Sequence, residues 1–160
     1  MEDESAARVR AAIKDRAAWF ALLYAEFARL LPPAELEAAG RAAITRYGRW
    51  KASFDPRPFG ARELLERFRD GGGAAVFDAE LELEACGGEN RVRRCALVEA
   101  WRELGLPGQT VELYCDIAMD GDRGRAAFHG LDMRLDETLA AGARFCRITL
   151  ADKPKEGASQ

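Results

Sequence analysis

Histidine is almost missing from this chain, with His129 the single example. A Cys–His catalytic pair therefore has one imidazole to draw on, and a multi-histidine metal site is excluded. Cysteine is also sparse, four in all, and no two stand in a C-x-x-C unit. That counts against a zinc ribbon and a thioredoxin-type redox pair, because chelation and dithiol exchange usually use two cysteines joined by one short loop. Long apolar runs are absent: even residues 17–31, the most apolar stretch, contain Glu26 and Arg29, far from the ~20 uninterrupted apolar residues of a membrane span. The opening Met1-Glu2-Asp3-Glu4 is acidic where a secretory signal is basic, and no apolar region follows it. These absences lead us to expect a cytoplasmic protein without a membrane partner.

Strong charge is lacking too. A net charge of -3 and a pI near 5.4 give no general attraction to phosphate backbones, and the basic runs at 91–94 and 41–51 are interleaved with apolar residues, as solvated faces are. No nucleic-acid partner is expected. What the chain does have is 48% hydrophobic against 32% charged residues over 160 positions, enough for one domain that buries roughly two thirds of its extended surface. The expectation is a single domain over residues 1–153 with a disordered polar tail at 154–160, folding alone or as a homo-oligomer. Its cysteines should be free thiols, since a core of this size needs no disulfide staple.

The first third reads as helix. Val9, Ile13, Phe20, Tyr24, Phe27 and Leu31 recur at intervals of three, four or seven, predicting an amphipathic helix with Ser5 as N-cap, ending at Pro32-Pro33. A second helix starts at the prolines and runs toward Trp50, and a short third spans 61–69 before Gly71-Gly72-Gly73. From Ala74 the period changes to two: Phe77, Ala79, Leu81, Leu83 and Ala85 alternate with acidic residues, predicting a strand with one wet face. Gly87-Gly88-Glu89-Asn90 is the expected turn and Arg91-Val92-Arg93 the returning strand. Helices follow at 96–104 and 110–119, then a turn cluster at 120–124 and a second hairpin from 126–138 and 144–150, turning at Ala141-Gly142. The sum is an α+β fold: N-terminal helices, then a small antiparallel sheet of about four strands built from two hairpins with intervening helices.

Cys95 is the strongest chemical signal from residues alone. A thiol preceded by Arg93 and Arg94 at a helix N-terminus would have its thiolate favoured by cations and dipole together. Buried cysteines also serve as small hydrophobes, so a packing role stands beside the functional one for Cys95, Cys115 and Cys146 alike. His129 has a comparable bland reading as an exposed or sheet-edge residue. Asp120-Gly121-Asp122 superficially suggests a calcium loop, but the later acidic ligands are missing and Arg123 and Arg125 intrude.

Three strings, Arg94-Cys95 leading into 96–105, Tyr114-Cys115-Asp116, and Thr138-Leu139-Ala140-Ala141-Gly142 running to Phe145-Cys146, together resemble the L-2-amino-thiazoline-4-carboxylic acid hydrolases. The resemblance implies an α+β hydrolase acting on a small-molecule substrate without a cofactor, opening a cyclic isothiourea to a carbamoyl-cysteine. It further implies attack on the amidine-like C2 by a cysteine thiolate or an activated water, followed by C–S cleavage. Cys95 is the candidate nucleophile, with Cys115 and Asp116 as its catalytic companions, Asp116 holding the amidine. Arg94 is the candidate partner of the substrate carboxylate, and Cys146, His129 and Glu99 are further substrate-binding candidates. The chain departs from the family pattern at Ala96, where proline is usual, and at Leu135-Asp136-Glu137-Thr138, where arginine precedes the threonine, which opens the way to a changed substrate. Two rival readings are a non-catalytic binding module of the same fold and a metal site from Cys95, Cys115, Cys146 and His129, which lacks a local chelate pair.

Overall fold

The computed structural model describes residues 3–57 and 59–154, so the tail expected at 154–160 lies outside the described residues save for Pro154. In chain order the elements are α1 (Glu4–Phe27), α2 (Pro33–Ala52), α3 (Ala61–Asp70), α4 (Gly73–Phe77), β1 (Ala79–Glu84), β2 (Gly87–Val92), α5 (Ala96–Glu103), α6 (Gly108–Phe128), β3 (Leu131–Glu137) and β4 (Cys146–Asp152). This is the α+β order the periodicities predict. Among the described residues no helix is long and apolar enough to cross a membrane.

Both hairpins form and merge into one antiparallel sheet in the order β1-β2-β4-β3. The register puts Leu81, Asn90 and Ile148 in one row, with Val92 opposite Cys146 and Gly88 opposite Leu150, so these residues share a face. The other face is the wet one, where Arg91 reaches Glu82 at 3.1 Å and Arg147 reaches Glu89 at 2.8 Å. Against the dry face α3 places Leu64 and Leu65, which pack with Leu131 and Leu150. Burying each such side chain contributes roughly 1.5–3 kcal/mol. A second cluster joins α1, α5 and α6: Ala17 and Ala21 are small enough for Trp101 to close on α1, and Trp101 Nε1 donates to the Ala17 carbonyl at 2.9 Å. Buried Arg10 caps the end of α4 by donating to the carbonyls of Ala75 and Val76.

Several boundaries differ from expectation. The N-cap of α1 is Asp3, whose Oδ1 accepts from the Ser5 N–H at 3.0 Å, and Ser5 is itself helical. The helix ends at Phe27 rather than at the prolines, because residues 28–31 turn the chain before Pro33 opens α2. Residues 74–77 form a helical turn, not strand; Asp78, at φ 45°, then breaks the helix and the alternation begins at Ala79. The hairpin turns at Ala85-Cys86, and Gly87-Gly88-Glu89-Asn90 belongs to β2. Its glycines serve close approach: a Cβ on Gly88 would strike the Glu82 carbonyl and press on Leu65.

The largest difference is α6, one continuous helix through the expected turn at 120–124 and the expected strand start at 126. Its Gly121 and Gly124 face α2. A Cβ on Gly48 would overlap the Gly121 backbone, and one on Gly124 would meet the Thr45 carbonyl, so the cluster read as a turn is a close crossing of two helices.

Candidate active site

The strand ends bring the motif cysteines together. Cys95 is the N-cap of α5, three residues beyond Val92, and Cys146 opens β4 directly opposite Val92. Cys115, on α6, is buried with Trp101 and Tyr114, and Cys95 packs against that same cluster. The three thiols lie close enough that Cys95 and Cys146 both disfavour the Cys115 thiolate, and Cys146 disfavours that of Cys95. Cys86 stands apart, exposed in the β1–β2 turn.

The thiolate expected at Cys95 is not favoured in this fold. Burial pushes the Cys95 thiol up, against the opposing pull of the Val98 and Leu97 N–H groups at the start of α5, and neighbouring Cys146 and Glu99 add to the rise. The arginines do not help because each has a carboxylate: Arg93 reaches Glu80 at 2.7 Å and Arg94 reaches Glu99 at 2.7 Å. Burial takes Cys115 furthest, up to about 12, with the other two thiols and Asp116 contributing. Cys146 is raised by burial too, although the Leu139 N–H donates to its Sγ at 3.3 Å and works the other way.

That N–H comes from a braced loop. The Thr138 hydroxyl accepts from the Ala141 N–H at 3.1 Å, the Ala143 N–H donates to the Thr138 carbonyl, and Arg102 donates to the Leu139 carbonyl at 2.7 Å. The third motif string is thus a rigid cap over Cys146, ordered by its own hydrogen bonds.

Glu99 lies one helical turn from Cys95 and is shared by Arg94 and Lys14, the latter at 3.0 Å. Burial would raise its carboxyl, but Arg94 and Lys14 together hold it below the usual range. Asp116 is turned elsewhere: its oxygens accept from Arg41 at 2.7 Å and Arg123 at 2.6 Å, and the side chain is 46% exposed. Both Asp116 oxygens are thus engaged by arginines, Arg41 from α2 and Arg123 from α6 itself.

His129 is also not brought to the cysteines. It caps the C-terminus of α6, and its Nε2 lies 2.9 Å from Asp55 Oδ2, both side chains being 3% exposed. Arg125 completes that pair by donating from Nε to the same oxygen at 2.7 Å, and Phe59 packs on the imidazole. Leu131, just beyond His129, pairs with Asp152, six residues along β4 from Cys146, a separation of roughly 20 Å at the strand rise. This placement removes the Cys–His pair and also the metal reading that needed His129. Among the described residues no three His, Cys, Asp or Glu side chains are disposed to hold a metal ion.

Sequence reasoning missed the wall beside the thiols. Phe20 and Tyr24 of α1 meet Tyr114 edge to face with centroids 5.2 and 5.0 Å apart, and Trp101 joins them at 5.6 Å from Tyr114. Their helical spacing was visible, but as an ordinary core stripe. On its far side this wall borders an open apolar groove of about 390 Å³ between α1 and α2, lined also by Phe27, Leu36 and Ile44. A second cavity of about 380 Å³ holds Asp55, Arg67 and Arg125 beneath Trp50 and Phe54. No cysteine lines either one.

Compared with known families, residues 10–150 match the model for L-2-amino-thiazoline-4-carboxylic acid hydrolase. No curated protein and no solved structure matches the chain. The match takes in all three cysteine strings and every element from most of α1 to the middle of β4. On that coverage the chain belongs to the L-2-amino-thiazoline-4-carboxylic acid hydrolase family.

Proposed function

We propose that the chain hydrolyses a small cyclic isothiourea or amidine, with Cys95 as the nucleophile and Cys115 and Cys146 lining the pocket around it. The observation that carries this reading is the meeting of three motif cysteines, from strings far apart in sequence, at one end of the sheet beside an aromatic wall. Because burial holds Cys95 as the thiol, the proton must leave as the reaction begins, and the basic nitrogen of a neutral amidine is a fitting acceptor. In this scheme the Cys95 Sγ bonds to C2 as its proton passes to the ring nitrogen. The ring C–S bond then breaks and the ring sulfur leaves as a thiol. Water adds at the same carbon, the bond to Sγ breaks, and Cys95 regains its proton as a carbamoyl product departs. Arg94, part-exposed beside Glu99, is the residue we assign to the substrate carboxylate, which would compete with Glu99 for its guanidinium.

Peptide mass spectrometry of iodoacetamide labelling, with and without the cyclic isothiourea, tests this together with turnover of two variants. The ring compound should protect Cys95, Cys95→Ser should abolish turnover with the fold intact, and Cys86→Ser should change turnover less than twofold. Full activity in Cys95→Ser would remove Cys95 as the nucleophile, and labelling unchanged by the ring together with no turnover in the parent would transfer the assignment to a non-catalytic binding module of the same fold. The raised thiols are what that second reading has in its favour.

A further inference from the structure

Among the described residues, Asn90 Oδ1 is the one buried side-chain nitrogen or oxygen atom without a hydrogen-bond partner. Asn90 is 6% exposed and sits in the middle of β2, an inner strand, between Leu81 on β1 and Ile148 on β4. Its side chain projects from the dry face, in line with Gly88 and Val92. Cys146 stands opposite Val92, so Asn90 and Cys146 are diagonal neighbours on that face, roughly 7–8 Å apart and within the span of one small ring. A carbonyl left without a donor in such a place is rare in folded chains. Leucine, isoleucine and valine fill the positions around it, and any of them would have packed there without an orphan.

We infer that Asn90 is a substrate-binding residue of the cysteine site, its side-chain carbonyl accepting a hydrogen bond from an N–H group on the carbon that Cys95 attacks. The inference rests on the cysteine cluster being the site proposed above. It narrows the ligand to a compact planar group with an N–H donor on the reacting carbon, a neutral amidine or cyclic isothiourea. Lactones, esters and thioesters are disfavoured, because they would set a carbonyl oxygen against this acceptor.

Calorimetric titration of the full chain with two probes tests it: 2-amino-2-thiazoline-4-carboxylate, and the same ring with a methyl group replacing the amino group. The parent should prefer the amino ring by about ten- to hundredfold. Asn90→Leu, which keeps the volume and removes the acceptor, should erase that preference, and Asn90→Asp, which keeps an acceptor, should retain it. Three results overturn the inference: no preference or no binding in the parent, a preference that survives in Asn90→Leu, or one that is lost in Asn90→Asp. Should the leucine variant fail to fold, Asn90→Ala, which also removes the acceptor, takes its place and should likewise erase the preference. Cys95→Ser keeps the two questions apart, since loss of turnover with the amino preference intact supports both readings. Full turnover in Cys95→Ser removes the nucleophile while leaving the role of Asn90 to the titration.

Discussion

Asp55 holds Arg125 and His129 at once from a loop between α2 and α3, with Arg67 at 3.7 Å. Burial alone would raise its carboxyl, and the hydrogen bonds from Arg125 and His129 outweigh that and keep it below the usual range. Asp55→Asn leaves a partly buried guanidinium short of its counter-charge, so it should cost about 3 kcal/mol in urea unfolding. The kcat of the folded variant should stay within twofold of the parent, because the group stands at the far end of β4 from Cys146; a large loss of kcat would show His129 to be part of the chemistry after all. At this scale the sequence was legible where a residue type carried its own meaning. Cys95, Cys115 and Cys146 were singled out, and they meet. The surroundings of Asp116 were not legible, because neighbours on a helix point about 100° apart, so a carboxylate next to Cys115 in sequence reaches Arg41 of α2 in space. Asn90 was hidden by its commonest use, since an asparagine after two glycines reads as a turn.

The helices and hairpins set by periodicity came through, and the elements misread were those where glycine meant something other than a bend. At 120–124 glycine and aspartate stand together as they do in turns, yet α6 continues straight through because α2 lies too close for a side chain. Gly48→Ala should therefore destabilise the protein. Overpacking against the Gly121 backbone costs about 1–3 kcal/mol, more than the roughly 1 kcal/mol that alanine gains as a helix former. Gly108→Ala, in the first turn of α6 with nothing near its Cβ, should be neutral or slightly stabilising. Equal midpoints for the two variants in thermal unfolding would mean that the helix crossing is looser than described. The short α4 was illegible for a different reason, as five residues carry too little pattern to tell a helical turn from the start of an alternating strand.

For the molecule as a whole, the ionisable groups define a window of stability. The carboxylates of Asp55, Glu99 and Asp116 are held below their ordinary values, so the native state binds fewer protons there than the unfolded chain. Their contribution is present above the unfolded values of 3.8 and 4.5 and is lost as pH falls through the lowered native ones. The thiols of Cys95, Cys115 and Cys146 are held above 9.0, so their contribution is full below that value and drains away as pH rises toward about 12 for Cys115. Urea midpoints measured across pH should thus form a plateau between about 4.5 and 9 with losses on both sides. A midpoint that kept climbing above pH 9 would contradict the burial of the thiols.

The place of β4 in the sheet bears on how the molecule comes together. It is the last strand among the described residues, yet it lies between β2 and β3, pairing residues about sixty positions apart, as Gly87 with Ala151. Until residues 146–152 have been synthesised, β2 and β3 each present an open edge and nothing joins the two halves of the sheet. Folding must then wait for a long-range closure, which is slow relative to local hairpins and helices. A ribosome-bound chain would expose two strands ready to pair with another copy, and Cys146 would be the last of the three clustered cysteines to arrive.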